Sequence, residues 1–199
     1  MRKLVLISTF AAFGGVTAHA QVPAPQHEDG PGPNMVIQVA DAEGNDKGTI
    51  TLDLLADRAP NHVERLVELA KSGAYDGVVF HRVIDGFMAQ TGDVQYGKQG
   101  GDTAMAGMGG SDLPDLKAEF SDIPFQPGTV GMARSQDPNS ANSQFFIDLA
   151  PATFLDGQYT VVGQLIDGWD VLTSIKTGAE DQNGAVEAPD YMAKVMIEE

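Results

Sequence analysis

Two β-prone runs separated by a turn constrain this chain more than any other feature. Val78 to Val83 and Phe87 to Thr91 are joined through Asp85-Gly86, a connection too short for anything but a hairpin. The first run delivers Arg82, and the second delivers Phe87, Met88 and Gln90. Alternation puts Val78, Phe80 and Arg82 on one face of the first strand, and Met88 with Gln90 on one face of the second. Strict alternation sends Phe87 the other way, so its place beside Met88 requires a bend at Gly86. A fixed cation beside an apolar hollow suits a reaction that needs no acid, base or nucleophile.

The remaining pattern is mostly short strands. Met35 to Ala40 and Thr49 to Leu54 read as a hairpin with one buried face. A helix starts at Pro60, with Asn61 and Glu64 as a capping pair, and stops at Gly73. Val63, Leu66, Val67 and Ala70 form its apolar stripe; His62 and Arg65 are expected in water. Further strands are expected at Thr129 to Met132, Gln144 to Ile147, Tyr159 to Ile166 and Tyr191 to Ile197. A shorter helix spans Gly168 to Ile175, and a long irregular stretch rich in Gly, Met and Asp runs from Gly92 to Pro127. Many short antiparallel strands with two helices and long loops predict a mainly β fold, a closed barrel capped by helices, because closure removes exposed edges. Gln144 and Phe146 share one face of their strand and join Arg82, Met88 and Gln90 in an apolar surface with a few convergent polar groups.

Met1-Arg2-Lys3, the apolar run Leu4 to Val16 and Ala18-His19-Ala20 read as a signal peptide over residues 1–20, cut after Ala20. The expected location is periplasmic or secreted, with no stable membrane insertion after cleavage. Residues 21–34 hold four prolines and two glycines and read as a flexible linker; a single domain then spans 35–199. The chain has no cysteine, so packing alone must stabilise it and thiol chemistry is excluded. Its 28 acidic and 12 basic residues give a net charge of −16, which disfavours nucleic acid and anionic membranes as partners.

The segments Phe80-His81-Arg82-Val83-Ile84-Asp85-Gly86-Phe87-Met88-Ala89-Gln90-Thr91-Gly92-Asp93 and Pro127-Gly128-Thr129-Val130-Gly131-Met132-Ala133-Arg134 resemble the cyclophilin family of peptidyl-prolyl cis-trans isomerases. So do Ser143-Gln144-Phe145-Phe146-Ile147 and the stretch Phe154 to Gly163. The resemblance covers roughly residues 35 to 197 and implies an eight-stranded barrel that isomerises X–Pro bonds on its outer face. It implies Arg82 as the catalytic arginine and Gln90 as the glutamine that orients it. Phe87, Met88, Phe146 and Leu155 match the walls of a proline pocket, and Gln144 another groove residue. Ala133 and Arg134 match the segment whose backbone pairs with bound peptide, where many members have Asn in place of Arg134. Residues 101–111 with Glu119 resemble the glycine-rich loop flanking the groove. Phe154 and Tyr159 stand where many eukaryotic members have Trp and His, and the likeness to bacterial exported members is closer at both. No cofactor and no metal are implied. The expected partners are proline-containing unfolded or partly folded polypeptides, and a monomer is the family-level expectation.

Other chemistries fit less well. Ser135, Ser140 and Ser143 lack the surroundings of a nucleophile, and His81 has no evident carboxylate to orient it. Asp93, Asp102, Asp112 and Asp115 match no recognised calcium loop. The rival to catalysis is a peptide-binding module or holdase using the same groove. An arginine poised over that groove favours turnover, since binding alone needs no transition-state cation.

Overall fold

The structure, a computed structural model, describes residues 24–25 and 27–199. The expected signal peptide over residues 1–20 lies outside the described residues. Among the described residues nine strands form one antiparallel sheet: β1 Asn34–Ala40, β2 Asp46–Leu54, β3 Val78–Val79, β4 Arg82–Ile84, β5 Met88–Thr91, β6 Thr129–Met132, β7 Phe145–Asp148, β8 Val161–Asp167 and β9 Tyr191–Glu198. Their order is β3-β9-β1-β2-β8-β6-β7-β5-β4. Helices α1 (Pro60–Lys71) and α2 (Trp169–Thr173) accompany the sheet.

The count is nine, not the expected eight, because the run Val78 to Val83 is broken. β3 pairs with β9 at one end of the sheet, and β4 pairs with β5 at the other. Only Phe80 and His81 separate them, so the sheet curls until its two ends are nearly contiguous. The break also overturns the expected alternation. Phe80 is fully buried in the main core with Val78 and Val83, whereas Arg82 points to the opposite side. The main core fills the inside of the curl, with Ile37, Ile50, Leu52, Val130, Phe145 and Ile147 among its fully buried members. A second, smaller cluster of Met88, Phe125, Phe146, Ala152, Leu155 and Val161 lies apart from it and floors the site described below. Phe146 thus faces away from Phe145 and Ile147, as period-two alternation requires.

The start of α1 departs from expectation. Ala59 caps it without a side-chain hydrogen bond, and Glu64 plays no capping part. Glu119, from the long irregular stretch, takes that role. Its carboxylate accepts from the backbone N–H of Asn61 at 3.3 Å and of His62 at 3.1 Å, and from Asn61 Nδ2 at 2.6 Å. His62 is fully buried rather than exposed, with Nδ1 2.6 Å from Glu119 Oε2. Burial alone would raise the Glu119 carboxyl, but these hydrogen bonds outweigh it and hold its pKa below the ordinary value. Arg65 is buried too, donating to the carbonyls of Pro114 and Asn142. Glu119 therefore satisfies helix donors that local sequence leaves open, and together with Arg65 it ties the irregular stretch to α1.

The described part of the segment before β1 lies against the sheet. His27 Nε2 is 3.3 Å from the Pro127 carbonyl oxygen, and Gly30 N–H donates to Asp53 Oδ2 at 3.2 Å. Among the described residues no helix is long and apolar enough to cross a membrane.

Candidate active site

Strand register assembles the site. Arg82 on β4 stands opposite Gln90 on β5, Gln90 opposite Phe146 on β7, and Phe146 opposite Gly131 on β6. Directly opposed residues point to the same face, so one row across four strands presents a cation, an amide and a ring. At Gly131 the missing side chain is what makes room. A Cβ there would overlap the Phe146 ring and come within 2.7 Å of the Phe125 ring. The two rings stack with centroids 5.8 Å apart, and Phe146 meets Tyr159 edge-on at 5.9 Å. Gly86, at φ +66°, supplies the bend that carries Phe87 to the site side of the hairpin.

The result is a hollow of about 160 Å³. Arg82 and Gln90 sit at its polar edge; Phe87, Met88, Phe146, Leu155 and Tyr159 provide its walls; Ala133 and Arg134 close one side. Nine of the eleven site residues expected from sequence line this hollow. Gln144 lies instead in an adjoining hollow of about 350 Å³, which shares Gln90, Ala133 and Arg134 with the first. Phe154 lines neither; it is 64% exposed and packs on Phe87 with centroids 5.5 Å apart.

A chain of hydrogen bonds runs from the glycine-rich loop to Arg82. Gln144 Nε2 donates to the carbonyls of Gly107 and Gly109 at 3.0 and 2.8 Å. Its Oε1 accepts from Gln90 Nε2 at 2.9 Å, and Gln90 Oε1 accepts from Arg82 Nη1 at 3.2 Å. Reversing either amide would set like against like, so the polarity of the whole chain follows from the two loop carbonyls. The loop itself is held by Asp93, which is fully buried. Its carboxylate accepts from the backbone N–H of Gln95, Tyr96, Gly107 and Gly109. Gln144 therefore orients Gln90 and, through it, Arg82, as well as lining the adjoining hollow.

Sequence reading missed Asn183. Its backbone carbonyl accepts from Arg82 Nε at 3.0 Å, and its side-chain Oδ1 accepts from Arg82 Nη2 at 3.1 Å. Asn183 holds a left-handed backbone, φ +54°, which Asn tolerates better than most residues. The following residues run beside β4, with Val83 N–H donating to Gly184 at 2.9 Å. The only local signal was an Asn-Gly pair, Asn183-Gly184, in a turn-rich stretch. Asn183→Gly keeps the backbone conformation and deletes only the side-chain acceptor. It is expected to lower kcat about three- to tenfold with KM little changed, while Asn183→Asp retains activity. A KM rise at constant kcat would show that Asn183 holds substrate rather than Arg82.

Burial lowers the pKa of the half-buried Arg82 from its ordinary value, yet a guanidinium stays charged throughout the working range. Among the described residues it spends four N–H contacts on Asn183, Gln90 and the Met88 sulfur, leaving one donor free. His81 faces away. Burial, only partly offset by Asp93, brings its pKa down to about 4, so it is neutral and suits no acid–base role. Ser135 and Ser140 bond to each other at 2.7 Å, and Ser143 to the Gly92 carbonyl, so none is paired with a base.

Comparisons agree with this geometry. Residues 37–197 match the family described as "Cyclophilin type peptidyl-prolyl cis-trans isomerase/CLD". A probable peptidyl-prolyl cis-trans isomerase of Brucella suis biovar 1 is 58% identical over 153 residues, covering 76% of this chain and 78% of that protein. Peptidyl-prolyl cis-trans isomerase-like 1 of Rhizopus delemar is 39% identical over 138 residues, covering 68% of this chain and 80% of its own length. The crystal structure of cyclophilin AquaCyp293 from Hirschia baltica superposes with a TM-score of 0.68 at 26% identity, covering 84% of this chain and 74% of that one.

Proposed function

The chain belongs to the cyclophilin-type peptidyl-prolyl cis-trans isomerases, and from that premise we propose that it speeds X–Pro isomerisation in exported polypeptides as they fold in the periplasm or outside the cell. The observation that carries the site assignment is Arg82, held by Asn183 and Gln90, at the edge of a hollow walled by Phe87, Met88, Phe146 and Leu155.

The chemistry follows from the amide. Rotation about an X–Pro bond faces a barrier of roughly 18–20 kcal/mol because resonance must be broken. The twisted amide localises a lone pair on the prolyl nitrogen. The proline ring enters the apolar hollow, which orders it and excludes water. The free N–H of Arg82 then donates toward that nitrogen and stabilises the twisted form more than either planar one. No group must gain or lose a proton, and no bond to the protein forms. Each 1.36 kcal/mol of differential stabilisation is about tenfold in rate.

The export assignment rests on the pattern of residues 1–20. Removal of that segment leaves 10 basic and 28 acidic residues, a net charge of −18. The mature protein acts as a soluble monomer without membrane insertion. The closed eight-stranded barrel also belongs to this reading, with β3 and β4 as one interrupted strand joining the two sheet ends. Protein recovered from the periplasm or medium is expected to begin at Gln21 by N-terminal sequencing. An intact Met1 on cytoplasmic material would remove the export claim. In the same preparation, catalytic amounts should accelerate the proline-limited refolding phase of an exported protein. Suppression of aggregation without that acceleration would favour the holdase.

A further inference from the structure

We infer that this site prefers an acidic side chain immediately before proline and that Arg134 selects it; the inference rests on the isomerase reading above. The chain is strongly acidic, at −16 net. Yet none of the described residues that line either hollow is Asp or Glu. Among the described residues, neither Arg82 nor Arg134 forms an ion pair. The groove is a cationic island on an acidic protein.

Arg134 is held by neutral groups. Its Nε and Nη2 donate to the Gln158 carbonyl at 3.2 and 2.8 Å, and its Nη1 to the Ser135 carbonyl at 2.9 Å. Its guanidinium carbon lies 4.3 Å from the Tyr159 ring centroid. These contacts fix the group in place and leave its charge uncompensated. The acid nearest in sequence, Asp137, accepts from the Asn139 backbone N–H within its own turn.

The direction of a bound chain follows from the shared residues. Arg82 and Gln90 act on the amide that precedes proline, and Gln90 stands on the boundary between the two hollows. The chain therefore leaves the ring toward the larger hollow through the preceding residue, passing Arg134. A carboxylate at that residue meets a fixed cation at short range. An ammonium there meets two cations and no acid. Charges elsewhere on the body act through solvent and are screened over about 8 Å at physiological salt, so the local sign decides.

The test uses NMR exchange on three tetrapeptides that differ only before proline, carrying Glu, Ala or Lys. The protein's net charge alone would favour Lys, whereas the groove favours Glu. At physiological salt kcat/KM should fall in the order Glu, Ala, Lys, with a Glu-to-Lys ratio of about three- to tenfold. The ratio should shrink toward one near 1 M salt, where the screening length is about 3 Å. Arg134→Gln should abolish the order and Arg134→Lys should keep it. A wild-type ratio of one, or a preference for Lys, overturns the inference. So does an acid preference that persists in folded Arg134→Gln. If the Ala peptide itself is not accelerated, the isomerase reading falls first and takes the inference with it.

Discussion

Arg82→Ala is expected to lower kcat/KM for an X–Pro peptide by about 100- to 1000-fold, corresponding to roughly 2.7–4 kcal/mol of lost transition-state stabilisation. The side chain is half-buried and bonded to Asn183, Gln90 and Met88, all of them neutral. Its removal leaves no buried countercharge behind, and the core packed inside the sheet does not include it. The urea midpoint should therefore move little while turnover collapses. That pairing separates a catalytic role from a structural one. Arg82→Lys keeps the charge but loses the fork that spans Asn183 and Gln90, and it should fall between wild type and alanine. Exchange spectroscopy across the X–Pro bond, with circular dichroism as a check of fold, measures both quantities. Unchanged turnover in folded Arg82→Ala would end the catalytic assignment.

Asp148→Asn is expected to stabilise the protein at pH 8 by several kcal/mol and to change little at pH 4. Asp148 lies on β7 opposite Met88, fully buried, and neither carboxylate oxygen has a hydrogen-bond partner among the described residues. Burial first, and the charge of Asp156 second, push its pKa up to about 8. The unfolded chain titrates the same group near 3.9. A raised folded pKa means the native state holds the proton more tightly than the unfolded one. The stabilising contribution is therefore complete below about pH 4, declines as pH rises to about 8, and is gone above it. A separation of this size corresponds to at most about 6 kcal/mol across the window. Asparagine keeps the shape and cannot ionise, so the variant lacks this slope. Urea midpoints of both proteins at the same pH cancel the contributions of other groups, His81 among them. Parallel curves from pH 4 to 8 would show that Asp148 is ionised and solvated in the native protein.

Much of the site was legible because β-strands alternate with period two. Met88, Gln90 and Phe146 fall on one face by that rule, and the register of β5 against β7 brings Gln90 opposite Phe146. Arg82 was identified for its context, yet its face was misjudged, because alternation assumes an unbroken strand and this one stops at Phe80-His81. The N-terminal cap of α1 was sought nearby, at Asn61 and Glu64, as local capping rules suggest. The residue that satisfies those donors, Glu119, lies 57 positions beyond His62. Asn183 is 101 positions from Arg82, and no periodicity connects the two.

The amino-acid sequence by itself determined the strand and helix content and the inward and outward faces of most strands. These depend on local backbone geometry, which repeats over a few residues. Only the tertiary structure decided what restrains Arg82, what buries His62, that Gln144 aligns Gln90, and that Phe154 stands outside the hollow. Those outcomes depend on where loops come to rest once the sheet has curled. Chain folding, not residue spacing, sets the distances between groups so far apart along the backbone.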